Sequence, residues 1–146
     1  LAPEVDIVAR YQGAANADHI PAMIHRALLA SSERFVGIYL EHTGGDLPLV
    51  LAPEQVRILP VSDAHRADAE SLADRLRAEG LRAGGDERDE TLGRRIRDAE
   101  LEKIPYVVVW GNRESLESVS VRRRGGGQSV ISADALVEEL LAAARL

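Results

Sequence analysis

The sequence predicts an α/β fold: a mixed, mainly parallel sheet flanked by three helices. Three observations point there. Apolar, β-branched runs at 56–61 and 106–110 alternate with stretches of helical spacing at 66–79 and 91–102, as parallel strands joined by helical crossovers require. Residues 118–123 instead alternate Val119 and Val121 with Ser120 and Arg122, the period of a half-exposed strand. Finally, Pro48 and Pro53 interrupt regular structure between Asp46 and Gln55, so a domain border is placed near Pro53, dividing 1–52 from 53–146.

In chain order, 22–28 reads as a strand. Residues 31–42 read as a helix, with Ser31 or Ser32 as N-cap and Gly44-Gly45 ending it. After Pro53 come a buried strand at 56–61, a helix at 66–79 carrying Ala69, Leu72 and Leu76 at helical spacing, and Gly80 as its stop. A short strand follows at 81–84, then a helix at 91–102. Pro105 leads into the strand 106–110, and the half-exposed strand 118–123 comes next. Gly125-Gly126-Gly127 turns the chain, and a last helix spans 132–145 with Ser132 as N-cap and Leu136, Leu140 and Leu141 on its apolar side.

The 146 residues carry 18 Lys plus Arg against 24 Asp plus Glu, a formal net charge of −6. This acidic total argues against wholesale coating of nucleic acid. No apolar run approaches the ~20 residues of a membrane span. Zero Cys removes disulfides, Cys-based zinc sites and a thiol nucleophile, and the cytoplasm is the expected location. The chain begins with Leu1, no signal peptide is evident, and it reads as part of a longer polypeptide.

In an open α/β sheet, ligands bind beyond the carboxyl ends of parallel strands. Here the loops 85–90 and 111–115, expected to leave neighbouring parallel strands, are rich in hydrogen-bonding side chains. With Arg122 on an exposed strand face they form a polar surface able to read unstacked bases; plain solvation of polar loops is the competing reading. Upstream, His25, the Ser31-Ser32 turn and Glu33-Arg34 would place a strand end and a helix N-terminus at one anion or nucleotide site.

The run from Met23 to His42 followed by Pro48 to Val56 resembles the third signature motif of the class II aminoacyl-tRNA synthetases entering their anticodon-binding domain, in the form found in bacterial threonyl-tRNA synthetases. Gly93 to Glu100, Lys103-Ile-Pro-Tyr106 and Ser118 to Arg124 agree with that family in order and spacing. The resemblance implies a five-stranded-type sheet preceded by a short remnant of an antiparallel catalytic domain. It implies that Arg34 binds ATP, that Ser31 lies in the substrate pocket, and that His25 is one of three ligands of a zinc gripping threonine. It further implies that Asp89, Thr91, Arg97, Glu114 and Arg122 stand where such domains contact the anticodon loop. The family reaction activates threonine with ATP and transfers it to its tRNA. The family enzyme is a homodimer, and its phosphate-binding motif and other zinc ligands precede this segment, so the segment alone is expected to be inactive.

The chain departs from the family pattern at Ala30, usually Gly, and at Asp89 and Thr91, usually Asn and Lys. Exchanging an amide for a carboxylate and losing a cation weakens base reading and phosphate attraction. An alternative reading is therefore a synthetase-like paralogue or accessory module that acts through protein association or regulation.

Overall fold

The computed structural model describes residues 10–13, 16–22, 26 and 31–145. The chain forms two compact units, Leu1–Gly37 and Ile38–Leu146. In the first, β1 (Tyr11–Gln12) pairs antiparallel with β2 (Asp18–His19), Tyr11 opposite His19, and those two rings stack at 5.4 Å. The strand expected at 22–28 falls mostly outside the described residues, and Ala22 and Arg26 lie in no strand.

Helix α1 (Ser32–Thr43) begins where its cap predicts, with Ser31 Oγ accepting from the Arg34 backbone N–H at 3.2 Å. It ends through Gly44 and Gly45, both at positive φ, where the Gly45 N–H donates to the Leu40 carbonyl.

The second unit continues as β3 (Val56–Pro60), α2 (Arg66–Ala78), β4 (Ala83–Gly85), α3 (Leu92–Leu101), β5 (Tyr106–Trp110), β6 (Val119–Arg123), β7 (Gln128–Ile131) and α4 (Ala133–Ala143). The sheet order is β4-β3-β5-β6-β7. β3 is parallel to β4 and β5, and β6 is antiparallel to β5 and β7. This is the mixed five-stranded sheet with helical crossovers that the sequence implied. Two details differ. β7 is absent from the expected elements, because its only apolar pair, Val130-Ile131, shows no alternation. The strand expected at 81–84 begins two residues later, because Leu81 closes the α2 turn, its N–H donating to the Leu76 carbonyl.

From β3 the chain crosses to β4 on one side and then back past β3 to β5 on the other. Right-handed crossovers in opposite directions put their helices on opposite faces. One face accordingly packs Ala69, Leu72 and Leu76 of α2 with Ala133, Leu136 and Leu140 of α4 over Val56, Ile58, Val108 and Val121. The other packs α3 through Ala99, Leu92 and Ile96 over Leu59 and Val107. Fully burying one such aliphatic side chain stabilises by about 1.5–3 kcal/mol.

The turn at Leu49–Leu51 is held to this unit by side chains. Gln55, 2% exposed, donates Nε2 to the Leu49 carbonyl at 3.0 Å and accepts the Arg82 backbone N–H on Oε1 at 2.8 Å. Arg82 reaches the carbonyls of Ala52 and Val50, and Arg124 reaches that of Leu47 at 2.6 Å. Segment 47–52 is thus strapped to the sheet although it precedes the Pro53 border. Among the described residues no helix is long and apolar enough to cross a membrane.

Candidate nucleic-acid interface

The two loops expected to share a site leave β4 and β5, which are separated by β3; they are not neighbours, because α3 carries the chain across the starting strand. The loop that meets the post-β5 loop is the one after β3. The Val61 N–H donates to the Trp110 carbonyl at 2.8 Å, and a Cβ on Gly111 would lie 2.9 Å from Val61 Cγ2. A side chain at 111 would have to push Val61 aside. The close approach lets Glu114 fold back, accepting the Gly111 N–H on Oε2 at 2.9 Å and the Ser120 hydroxyl on Oε1 at 2.9 Å.

Ser120 fixes the location of Glu114 on the sheet. Val109 lies opposite Ser120, and Val107 lies opposite Arg122. Val107 packs toward α3, so by strand alternation Val109, Ser120 and Arg122 share that face. On β7, Val130 opposite Ser120 and Gln128 opposite Arg122 extend it. α3 packs over β3 and β5, leaving the β6–β7 part open: Val130 is 60% exposed, and the Arg122 side chain is 41% exposed. Glu114 lies over the carboxyl end of β5. Arg122, opposite Val107, sits nearer its amino end than the sequence suggested, because antiparallel β6 returns toward the start of β5.

Arg122 is loosely held, with Nε donating to Gln128 Oε1 at 3.4 Å and a guanidinium nitrogen 3.5 Å from Glu100 Oε1. Since Glu100 faces β6, Arg97, three residues earlier on α3, lies on the same flank of the helix. It is exposed and has no ion pair among the described residues. Glu114 and Arg122 thus border one uncovered polar surface, whereas Arg97 lines a separate shallow hollow on α3 with Thr91, Gly93, Arg94 and Asp98.

Thr91 and Asp89 stand at the head of α3. Thr91 is its N-cap, accepting the Arg94 N–H at 3.4 Å. Asp89 lines a hollow of about 250 Å³ beyond the carboxyl end of β3, with Pro60, Asp63, Arg66, Arg88 and Arg95. Arg95, only 6% exposed, donates to the carbonyls of Asp86 and Pro60, while its Nε has no partner among the described residues. Next to it, Asp86 receives Arg88 on both carboxylate oxygens, and Arg88 also holds Asp98 at 2.8 Å. The Arg88 hydrogen bonds keep the Asp86 carboxyl below its ordinary pKa against the opposing effect of burial. Sequence reading missed Arg95, Ser120, Gln128 and Glu100. Arg95 occupies a core-facing position of α3 that spacing would give to an apolar residue, and the others became visible only through the register of β5, β6 and β7.

Of the expected upstream residues, His25 lies outside the described ones. Among the described residues no three or more His, Cys, Asp or Glu side chains are grouped to hold a metal; they do not by themselves constitute a zinc site. Ser31 caps α1, and Arg34, exposed in its first turn, has its backbone N–H on that cap.

A family model described as the anticodon binding domain matches residues 55–143. The threonine–tRNA ligase of Thermus thermophilus is 51% identical over 118 residues, 80% of this chain and 18% of that protein. That of Maridesulfovibrio salexigens is 49% identical over 117 residues, with the same coverage. The chain thus spans about a fifth of the length of the curated relatives it matches. A crystal structure of the RNA-binding domain of threonyl-tRNA synthetase from Cryptosporidium parvum Iowa II aligns with a TM-score of 0.77 and 33% identity, covering 86% of this chain and 32% of that one.

Proposed function

Because the chain belongs to the anticodon-binding domain family, we propose that it is the C-terminal part of a threonyl-tRNA synthetase whose sheet unit recognises the anticodon of a threonine tRNA. The observation that carries this reading is the open β6–β7 face bordered by Arg122 and Glu114. Arg122 offers a planar fork of donors to base edges or phosphates. Each Glu114 oxygen uses one acceptor site within the chain and retains capacity for a base N–H. Ser120 and the Gln128 amide add neutral donors and acceptors. Such a surface suits unstacked bases, whose edges are accessible only outside a helix.

In this reading residues 1–52 belong with the catalytic domain and 53–146 form the anticodon-binding domain, with 47–52 strapped to it. Arg34 is assigned to ATP, Ser31 to the substrate pocket and His25 to the threonine-gripping zinc. The parent is a cytoplasmic homodimer, and threonine activation and transfer are its work, this segment alone being inactive. The alternative is an accessory module acting through protein association, favoured by Asp89 and by the commitment of Thr91 to a helix cap. Titration with a threonine tRNA anticodon stem-loop and a scrambled loop separates the two. Preference for the cognate loop, lost in Arg122→Ala, supports decoding; equal, weak binding of both loops supports the alternative.

A further inference from the structure

Helix α3 and its C-cap residue Glu102 place acidic side chains at alternate positions, and each meets an arginine from a different part of the chain. Asp98 holds Arg88 at 2.8 Å, Glu102 holds Arg57 at 2.6 Å, and Glu100 holds Arg122 at 3.5 Å. The first two arginines are doubly bound, Arg88 also to Asp86 and Arg57 also to Glu54. Arg122 has Glu100 as its only carboxylate among the described residues. Its chain neighbours are also well satisfied: Arg123 grips both oxygens of Glu139 and the Ser129 hydroxyl, and Arg124 donates to the carbonyls of Lys103 and Leu47. Arg122 is therefore the releasable member of the group. It stands at a groove of about 270 Å³ with Ile96, Ile104 and Val107 below and Lys103, the only lysine of the chain, beside it.

We propose that Glu100 is a latch on Arg122, occupying its guanidinium in the free chain and competing with the RNA acceptor that takes its place. This positioning role rests on the anticodon reading. Glu100 makes a single long ion-pair contact with the guanidinium, whereas a phosphate or base acceptor can take its full charge-assisted fork, so an RNA acceptor competes with Glu100 for Arg122. The displaced carboxylate remains within a Debye length of the phosphates and repels them. Arg122 is 41% and Glu100 65% exposed, so the latch is weak and releases readily.

The test is a double-mutant cycle on the whole chain, titrating the cognate and scrambled stem-loops into wild type, Glu100→Gln, Arg122→Ala and the double variant. Glu100→Ala serves as a second removal of the charge, and thermal midpoints serve as a check of fold. Glu100→Gln is expected to tighten cognate binding about 1.5- to fivefold at low salt, the range a surface ion pair supplies, and to tighten it clearly less in the Arg122→Ala background, where only the repulsion of the phosphates is relieved. Unchanged affinity in Glu100→Gln, or equal tightening with and without Arg122, overturns the latch while leaving the anticodon reading intact. If Arg122→Ala loses nothing on either loop, the anticodon reading at this face fails and the latch with it. Loss on both loops identifies a phosphate as the competing acceptor, and loss on the cognate loop alone identifies a base edge.

Discussion

Replacing Gln55 by alanine removes an amide that bridges the Leu49–Leu51 turn and the start of β4. Two hydrogen bonds disappear, Nε2 to the Leu49 carbonyl and the Arg82 N–H to Oε1. The Leu49 carbonyl keeps the Ala52 N–H at 3.2 Å, so its loss is the ordinary net value of one bond, about 0.5–1.5 kcal/mol. The Arg82 N–H is left without its acceptor, which costs about 1–3 kcal/mol. The sum is about 1.5–4.5 kcal/mol, large for one residue in a domain of ordinary stability. Urea unfolding at neutral pH, extrapolated to water with the slope compared between proteins, measures it. Gln55→Glu keeps the acceptor for Arg82 but sets an oxygen against the Leu49 carbonyl, so it too should destabilise. A loss below about 0.5 kcal/mol for alanine, at unchanged slope, would show that the buried bridge does not hold.

Three further outcomes are expected. Glu139→Gln should destabilise by about 1–2 kcal/mol at pH 7, since Arg123 and the Tyr106 hydroxyl converge on that carboxylate; equal stability in denaturant titration would refute it. Glu139 and Asp86 are both held below their ordinary pKa, each mainly by hydrogen bonds from an arginine. Their contribution is complete above the unfolded carboxylate value and is lost as pH falls through the lower folded values. Stability should therefore drop below about pH 4, more shallowly in Asp86→Asn. Thr91→Lys removes the α3 cap and puts a cation at a helix N-terminus, which should cost about 1 kcal/mol while steepening the salt dependence of RNA binding. A variant as stable as wild type would remove the capping assignment.

The helices of the sheet unit and the strands β3, β5 and β6 were legible because each carries either a clear period or an unbroken apolar run. Tyr106–Trp110 is a continuous apolar run built on three valines, and Ser132 precedes its helix as a cap. β7 was not legible: four residues at a sheet edge need little burial, so they leave no pattern. The candidate surface was half legible. Arg97, Glu114 and Arg122 came from the family resemblance; the strand period puts Arg122 on the face of Ser120, to which Glu114 is bonded, while Arg97 lines a separate hollow on α3. That the loops after β4 and β5 are separated by β3, and that Arg122 stands opposite Val107, are facts of strand order and register, which no single segment encodes. The roles of Ser120 and Gln128 depend on the same pairing.

The most direct test is to follow backbone amide shifts of the isotopically labelled chain as the threonine tRNA anticodon stem-loop is added. Perturbations are expected to concentrate at Ser120, Arg122, Gln128, Val130, Glu114 and Arg97, with the α2–α4 face unchanged. Shifts gathered over α2 and α4, or no saturable shifts at all, would contradict the anticodon reading.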